Sequence, residues 1–459
     1  MRGGLMHKGA VVWFIVGLTS CLQILASLSI LELLILLTAP ICVFSEYDFM
    51  RRTGAHRAFW LSIILVVGCG VACVVNRSPV EFSLRGLAVC SLISCSLVVA
   101  HRLLRTDMPS VRWMFVGIAI GMVVNIFIFR NAYSLNEEVT SGINKTGHGG
   151  LFWLSHFSGL IDMLPKGWYL QFPSPLTLAI PLLFALYGIL FSVSGRSAAL
   201  GYLGCFALAL LGGKRIATMK RISKRFWWLV AAGLVGLVCV KLVYQEAASR
   251  GWLGDEARLK YERQTHGDES VKALLLGGRI DSFVGLVACI DKPIVGWGPW
   301  ALDTEGYYGE FLSKYGAQED FDAYNANLSR ALRYGHVINA RLIPVHSVLT
   351  EFWCWYGIAG LIFVIYALFV LIRFIKDDIA AIPQWYYWLA CGMVARMWDI
   401  FFSPFADRFG FSLVIVACLM ARSVRQKKIR LPHNMLKEVR EVENKERCLA
   451  NHIDSDCKL

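Results

Sequence analysis

Two side chains in the polar stretch 245–360 have types that suit group-transfer chemistry. Arg279 follows two glycines, which allow a ligand to approach the backbone closely, and a guanidinium beside the start of a helix is suited to binding a phosphate. His346 lies where the polar stretch meets an apolar run, and a neutral imidazole can abstract a proton near neutral pH. The spacing alone leaves simpler roles open: a surface arginine paired with Asp281 or Glu256, and an interfacial histidine with a satisfied hydrogen bond.

Other polar residues are candidates for binding or structural roles. Arg196 lies between two apolar runs, where it must pair, reach the interface or face a polar cavity. Asp320 and Asp322 have the spacing of an acidic pair suited to Mg²⁺ or Mn²⁺, but such short patterns are frequent and we expect no metal there. Arg396 and Asp399 are three residues apart and share one helix face, which favours a structural ion pair.

These residues belong to a chain whose composition is that of a membrane protein. Of its 459 residues, 56% are hydrophobic and 17% are charged, with a mean hydropathy of +0.53, whereas soluble domains carry about 25% charge. Repeated apolar runs of about 20 residues can each cross a hydrocarbon core of about 30 Å. We therefore expect an all-α polytopic membrane protein. Most of the fourteen cysteines lie in these runs and predict packing rather than a disulfide or zinc framework.

Basic residues in the connections predict the topology. The net charge of +13 fits cytoplasmic loops better than nucleic-acid binding, because no soluble basic domain is visible. Counting crossings gives about twelve helices with both termini inside and one large periplasmic loop. The count favours a crossing at the weakly apolar segment 151–164. The expected divisions are 1–244 with about nine helices, the loop 245–346, 347–422 with three helices, and a basic cytoplasmic tail at 423–459.

The first sixty residues carry two local expectations. Residues 10–45 are long enough for two crossings joined by a tight turn near residues 27–29. Glu32 then lies inside the second crossing, where a carboxylate must be protonated or paired. Residues 47–58 include three arginines and are expected to form a cytoplasmic loop.

Four short motifs, taken in order, resemble the O-antigen ligase and polymerase superfamily of bacterial polysaccharide assembly. The first is a Ser-Arg-small motif between two helices, represented by residues 194–198 with an extra glycine before Arg196. The second is a Gly-Arg segment with an aromatic residue four positions later, represented by Arg279 and Phe283.

The other two motifs lie closer to the second group of helices. The third is a Pro-x-x-Gly-x-Gly turn, which is residues 293–298. The fourth is His-Asn followed by glycine eleven residues after the histidine, which is represented by His346 and Gly357, with Gly360 after it. Ser347 stands where the superfamily usually has Asn.

This resemblance implies an inverting, metal-independent membrane glycosyltransferase without a cofactor. Members transfer glycans from an undecaprenyl diphosphate carrier to an acceptor hydroxyl on the periplasmic side of the bacterial inner membrane. Carried over by position, His346 would be the general base, and Arg196 and Arg279 would hold the diphosphate. The implied partners are the carrier-linked donor, a glycan, lipid or protein acceptor, and membrane lipids, with no nucleic acid.

Two other functions remain as alternatives at this point. A transporter or a flippase for lipid-linked oligosaccharides is expected to have internal repeats, and the sequence shows none. A metal-dependent glycosyltransferase would use Asp320 and Asp322. Ligases and polymerases share the four motifs, so the sequence leaves that choice and the identity of the sugar open.

Overall fold

A computed structural model describes the chain over residues 3–25, 28–107, 109–127, 246–247, 249–252, 280–315, 342–345, 347–375, 386–402 and 408–430. A short antiparallel hairpin of β1 (Gln23–Leu25) and β2 (Leu28–Ser29) joins the first two helices. The helices within these ranges are α1 (Gly3–Cys21), α2 (Ile30–Thr53), α3 (Ala55–Val75), α4 (Val80–Asp107), α5 (Arg112–Phe127), α6 (Ile280–Asp291), α7 (Tyr307–Tyr315), α8 (Val348–Arg373), α9 (Tyr386–Phe402) and α10 (Arg408–Arg430).

The described helices include four that are long and apolar enough to cross a membrane, namely α2, α3, α4 and α8. Within α1, residues 8–20 form a shorter apolar helix. The chain is therefore a helical protein with the character of a membrane protein. The count of about twelve crossings, the four divisions and the crossing at 151–164 depend on segments that lie outside the described residues, so they stay predictions.

The turn expected near residues 27–29 marks the start of α2. The Ser29 hydroxyl accepts the N–H of Glu32 at 3.2 Å, and the Glu32 carboxylate accepts the N–H of Ser29 at 2.9 Å. This reciprocal pair satisfies two backbone donors at the helix start. Glu32 also accepts a hydrogen bond from Arg408 at 2.6 Å, so its carboxylate is paired at the end of the helix.

The expected loop at 47–58 is instead helical apart from one residue. α2 continues to Thr53, Gly54 turns the chain in the left-handed region at φ 83°, and α3 begins at the next residue. Glycine adopts this conformation without a Cβ penalty. Arg51 and Arg52 remain exposed at the end of α2. The prediction was wrong because long basic side chains can reach solvent from a helix end without an intervening loop.

α4 is the central helix of the described bundle, where it packs against α2, α3 and α10. Its buried residues recur every three or four positions, which is the spacing of one helix face: Cys90, Ile93, Leu97, Ala100 and Leu104. In contrast, α2 and α3 leave Phe44 and Val74 largely exposed, at 89% and 78%. Such apolar surface is expected of helices that contact lipid.

A buried carboxylate joins α2 to α4 near the end of both helices. Glu46 is fully buried and accepts hydrogen bonds from Arg102 at 2.6 Å and from Arg105 at 2.7 Å. His101 lies 3.1 Å from the same carboxylate. Both arginines stay partly exposed, so the carboxylate is fully paired while its partners keep some hydration. We call this end of the bundle, with Glu46 and the surrounding arginines, the arginine-rich end.

Candidate functional site

The three residues predicted to do chemistry, Arg196, Arg279 and His346, lie outside the described residues, as do Asp320 and Asp322. The structure describes the elements that directly follow two of them in sequence. Arg279 precedes α6, and His346 precedes Ser347 and α8. The described residues therefore form the scaffold on which the predicted site depends.

Ser347 fixes the start of α8. Its backbone is extended, at φ −147° and ψ 151°, and its hydroxyl accepts the N–H of Thr350 at 3.1 Å. Serine and asparagine are both good residues for capping a helix in this way. Ser347 therefore supplies the same kind of helix cap that an asparagine at this position would supply.

α8 is broken at Gly357, which has φ 59° and ψ −142°. In a continuous helix the N–H of Ile358 would donate to the carbonyl of Cys354. Here it donates instead to the carbonyl of Ile294 at 2.9 Å. The break thus exchanges a hydrogen bond within the helix for one to a segment more than sixty residues earlier in the chain.

The turn at residues 293–298 enters this break, and its N–H groups donate to carbonyl groups that the break leaves without a partner in the helix. The N–H of Trp297 donates to the Cys354 carbonyl at 2.6 Å, and the N–H of Gly298 donates to the Trp355 carbonyl at 3.1 Å. Buried peptide groups are costly when unpaired. The turn and the broken helix consequently satisfy each other's backbone and form one structural unit.

Glycine is required on both sides of this contact. A Cβ on Gly296 would lie 2.5 Å from the backbone nitrogen of Gly357, and one on Gly357 would overlap the Ile294 carbonyl. A Cβ on Gly360 would lie 2.6 Å from the carbonyl carbon of Phe352, because the break folds the first part of α8 back toward the second. These glycines allow backbone-to-backbone approach that no other residue permits.

Side chains that the sequence did not single out attach this turn to α3. Asn76, at the end of α3, donates to the carbonyls of Gly296 at 2.9 Å and Ala72 at 2.8 Å. Its side-chain oxygen accepts from Lys292 at 3.0 Å. The Lys292 ammonium also lies 3.6 Å from the centre of the Trp297 ring, which is within cation–π range. The sequence carried no signal for this contact, because Asn76 and Gly296 are 220 residues apart.

An aromatic pair extends the contact beyond the turn. The rings of Trp300 and Trp355 have centroids 4.6 Å apart, and the guanidinium of Arg85 lies 4.4 Å from the Trp300 ring. Trp355 is buried at 7% exposure. α4 is thereby connected to the segment after the turn through Arg85.

The segment after the turn is held by a carboxylate cap. Asp303 is buried and accepts the N–H groups of Tyr307 at 2.8 Å and Tyr308 at 2.9 Å, at the start of α7. The hydroxyl of Tyr307 donates to Asp291 at 2.6 Å. Burial, followed by this hydrogen bond to a carboxylate, raises the pKa of Tyr307, so its hydroxyl remains a donor at neutral pH.

α6 packs against the start of α8 and the segment just before it. A Cβ on Gly285 would lie 2.8 Å from the Pro344 carbonyl oxygen. The thiol of Cys289 lies 3.6 Å from the Thr350 carbonyl. Gly285 is five residues into α6, or about 8 Å along its axis. The described residues beside the two predicted chemical residues therefore belong to two helices that contact each other.

The ion pair expected from helical spacing is present, because Arg396 and Asp399 lie 3.0 Å apart within α9. Among the described residues, no group of three or more His, Cys, Asp or Glu side chains is arranged to hold a metal ion.

No protein-family model matches the chain, and a search of curated proteins finds no match.

Proposed function

We propose that this chain is a membrane glycosyltransferase that transfers or polymerises glycans from an undecaprenyl diphosphate carrier onto an acceptor hydroxyl. The observation that carries the proposal is the contact between the 293–298 turn and the break at Gly357. Two motifs of the resemblance that are far apart in sequence meet there through glycines whose close approach leaves no room for a side chain. The proposal sets the reaction at the periplasmic face of the bacterial inner membrane.

The chemistry assigns one role to each predicted residue. His346 accepts the proton of the acceptor hydroxyl as its oxygen attacks the anomeric carbon from the face opposite the leaving group. The bond between that carbon and the diphosphate oxygen breaks with its electron pair on the diphosphate. Arg196 and Arg279 stabilise this charge, at about 4 kcal/mol for a contact of ~4 Å at an effective dielectric of ~20.

The packing of α6 on α8 supports the pairing of Arg279 with His346 in this scheme. Arg279 directly precedes α6, and His346 precedes Ser347, which caps α8. Gly285 of α6 closely approaches the carbonyl of Pro344, two residues before His346. A base and an oxyanion-binding group must be held by rigid elements to act on one substrate. Arg196 joins them only by the resemblance.

A transporter or lipid-linked oligosaccharide flippase is the second candidate, because broken helices are typical of transporters. In transporters the unwound backbone lines a cavity and coordinates the substrate or ion. At Gly357 the freed carbonyls of Cys354 and Trp355 accept hydrogen bonds from the turn. This occupation of the break favours the transferase.

Deletion of the gene, followed by analysis of surface and carrier-linked glycans, tests the proposal. A ligase predicts accumulation of unattached carrier-linked polymer, and a polymerase predicts accumulation of single repeat units. Complementation with His346→Ala or Arg279→Ala should fail although the protein is present in the membrane. An unchanged glycan profile after deletion would refute the transferase, and transfer by His346→Ala would remove the proposed base.

Three further tests address the metal, the role of Arg196 and the topology. Transfer by the purified protein should persist in EDTA, whereas loss of transfer would favour a metal site at Asp320 and Asp322. Arg196→Lys should reduce transfer strongly, because an ammonium cannot make a bidentate contact with a diphosphate. A reporter fused after Ser194 should be periplasmic, and a cytoplasmic reporter would remove Arg196 from the site.

A further inference from the structure

A cavity of about 210 Å³ lies at the arginine-rich end, between the α2–α3 junction, α8 and α10. One water molecule needs roughly 10–15 Å³ of such space, so the cavity can hold a larger group. It is lined by five arginines and one histidine: Arg51, Arg52, His56, Arg57, Arg373 and Arg422. Its described lining includes no carboxylate.

Three of the arginines of this cavity, Arg51, Arg57 and Arg422, have no carboxylate partner among the described residues. Elsewhere in the same bundle end, Arg102 and Arg105 are paired with Glu46. Like charges held close together repel one another, and a bound anion would offset this repulsion, so the cavity is suited to an anion.

Two more features of the cavity favour a phosphate group. α3 begins at its edge, directly after Gly54, which has no side chain to cap the first N–H groups, and the start of a helix favours a phosphate. The Nδ1 atom of His56 is buried and has no hydrogen-bond partner in the described part of the chain. A bound phosphate oxygen can accept from both a helix N–H and a histidine N–H.

An apolar stripe on α8 leads from the cavity along the surface of the helix. The side chains of this stripe recur every three or four residues and are 36–54% exposed: Ile358, Ile362, Ile365, Phe369 and Ile372. Phe369 also lines the cavity. An amphiphile could lay an acyl chain along this stripe with its phosphate among the arginines, as basic pockets between membrane helices do with anionic lipids.

We propose that this cavity binds a phosphate-bearing anion, held by the arginines of the α2–α3 junction and of α10. Guanidinium groups bind phosphate through paired N–H donors. The ligand is either the head group of an anionic phospholipid or free phosphate. This site is independent of the proposed transferase, because it lies at the opposite end of α8 from Ser347 and the turn at 293–298.

Thermal unfolding of the purified full-length protein in neutral detergent tests the inference. The protein is titrated at constant ionic strength with short-chain phosphatidylglycerol, with inorganic phosphate, or with chloride as the control anion. A ligand that binds the folded state raises Tm. The double variant Arg57→Gln/Arg422→Gln should bind the ligand more weakly, so that the half-saturation concentration rises by about tenfold or more. Arg77→Gln, which removes an exposed charge in the turn after α3, should leave it unchanged.

The ligand arms identify the source of the phosphate. A rise of Tm with phosphatidylglycerol alone assigns a phospholipid head group, and a rise with inorganic phosphate assigns free phosphate. The absence of a rise with either ligand, or an equal rise in the wild type and the double variant, overturns the proposal. If the double variant does not fold, the single variants Arg57→Gln and Arg422→Gln are tested in its place. Each of them retains four of the five lining arginines.

Discussion

Replacing Gly357 with alanine should detach the 293–298 turn from α8. The added Cβ would overlap the Ile294 carbonyl and lie 2.5 Å from the carbonyl carbons of Ile294 and Val295. These are backbone atoms in a constrained turn and cannot move aside as a flexible side chain would. The backbone at φ 59° and ψ −142° is also unfavourable for any residue with a Cβ.

The expected cost is set by the cheaper of two responses. Detachment loses three backbone hydrogen bonds between the turn and α8 and the bond from the Trp353 indole to the Pro293 carbonyl, each worth about 1 kcal/mol net. Keeping the native backbone with alanine instead costs about 1–3 kcal/mol of strain in addition to the overlap with backbone atoms. A loss of about 3–4 kcal/mol is therefore expected, against a total stability of about 5–15 kcal/mol for a typical protein.

Two other glycines provide graded controls for this variant. Gly54→Ala meets no atom within 4 Å but keeps a positive φ of 83°, so it should cost about 1–2 kcal/mol. Gly70→Ala lies inside α3 and meets neither strain nor overlap. It should be neutral or stabilising by up to about 1 kcal/mol, because alanine favours helix more than glycine does.

Thermal unfolding and thiol alkylation of the purified full-length variants measure these effects. Cys354 is fully buried, and its carbonyl accepts the N–H of Trp297. Detachment of the turn in Gly357→Ala should therefore speed the alkylation of Cys354, located by peptide mass spectrometry, while Gly70→Ala leaves it protected. The reasoning fails if Gly357→Ala unfolds at the same temperature as Gly70→Ala and protects Cys354 equally.

Three further predictions concern side chains that hold the bundle together, and unfolding experiments check each. Glu46→Ala leaves the buried His101 and the partly exposed Arg102 and Arg105 without their carboxylate and should destabilise the protein by about 3 kcal/mol, because charged hydrogen bonds are lost. Glu81→Ala, at an exposed position, should change stability by less than about 0.5 kcal/mol, and equal effects would contradict the pairing. A double-mutant cycle on Glu32 and Arg408 should give a coupling of about 1 kcal/mol, and zero coupling would show that this ion pair is not formed. Asn76→Ala should cost about 1–2 kcal/mol and expose Cys354 partially; a protected thiol would show that Asn76 does not hold the turn.

The sequence predicted those parts of the fold that depend on interactions between residues close together in the chain. The turn before α2 follows from polar residues that interrupt an apolar run. The ion pair of Arg396 with Asp399 follows from helical spacing. The helical continuation through Arg51 to Gly54 was missed because the same basic residues suit either a loop or a helix end, and a single glycine decided between them.

Of the scaffold around the candidate site, only the glycines could be identified from the sequence. Gly296 and Gly357 were recognised as motif residues, but no local pattern indicated that the two would meet. Their contact is a long-range arrangement of backbone atoms, and backbone atoms carry no residue-specific signal. Asn76 and Lys292 were missed for the same reason, since their roles depend on partners distant in sequence.

The break in α8 has a consequence for membrane thickness. Residues 358–373 form about 16 residues of helix after the break, or about 24 Å, whereas the hydrocarbon core is about 30 Å thick. If α8 crosses the core with Arg373 at one interface, Gly357 falls short of the far head groups, at a depth where irregular backbone is tolerated only when protein pairs its peptide groups. The turn at 293–298 would then lie within the core rather than at its surface. A thinner bilayer would lift this turn into the head-group layer, and a thicker one would draw it deeper among the acyl chains.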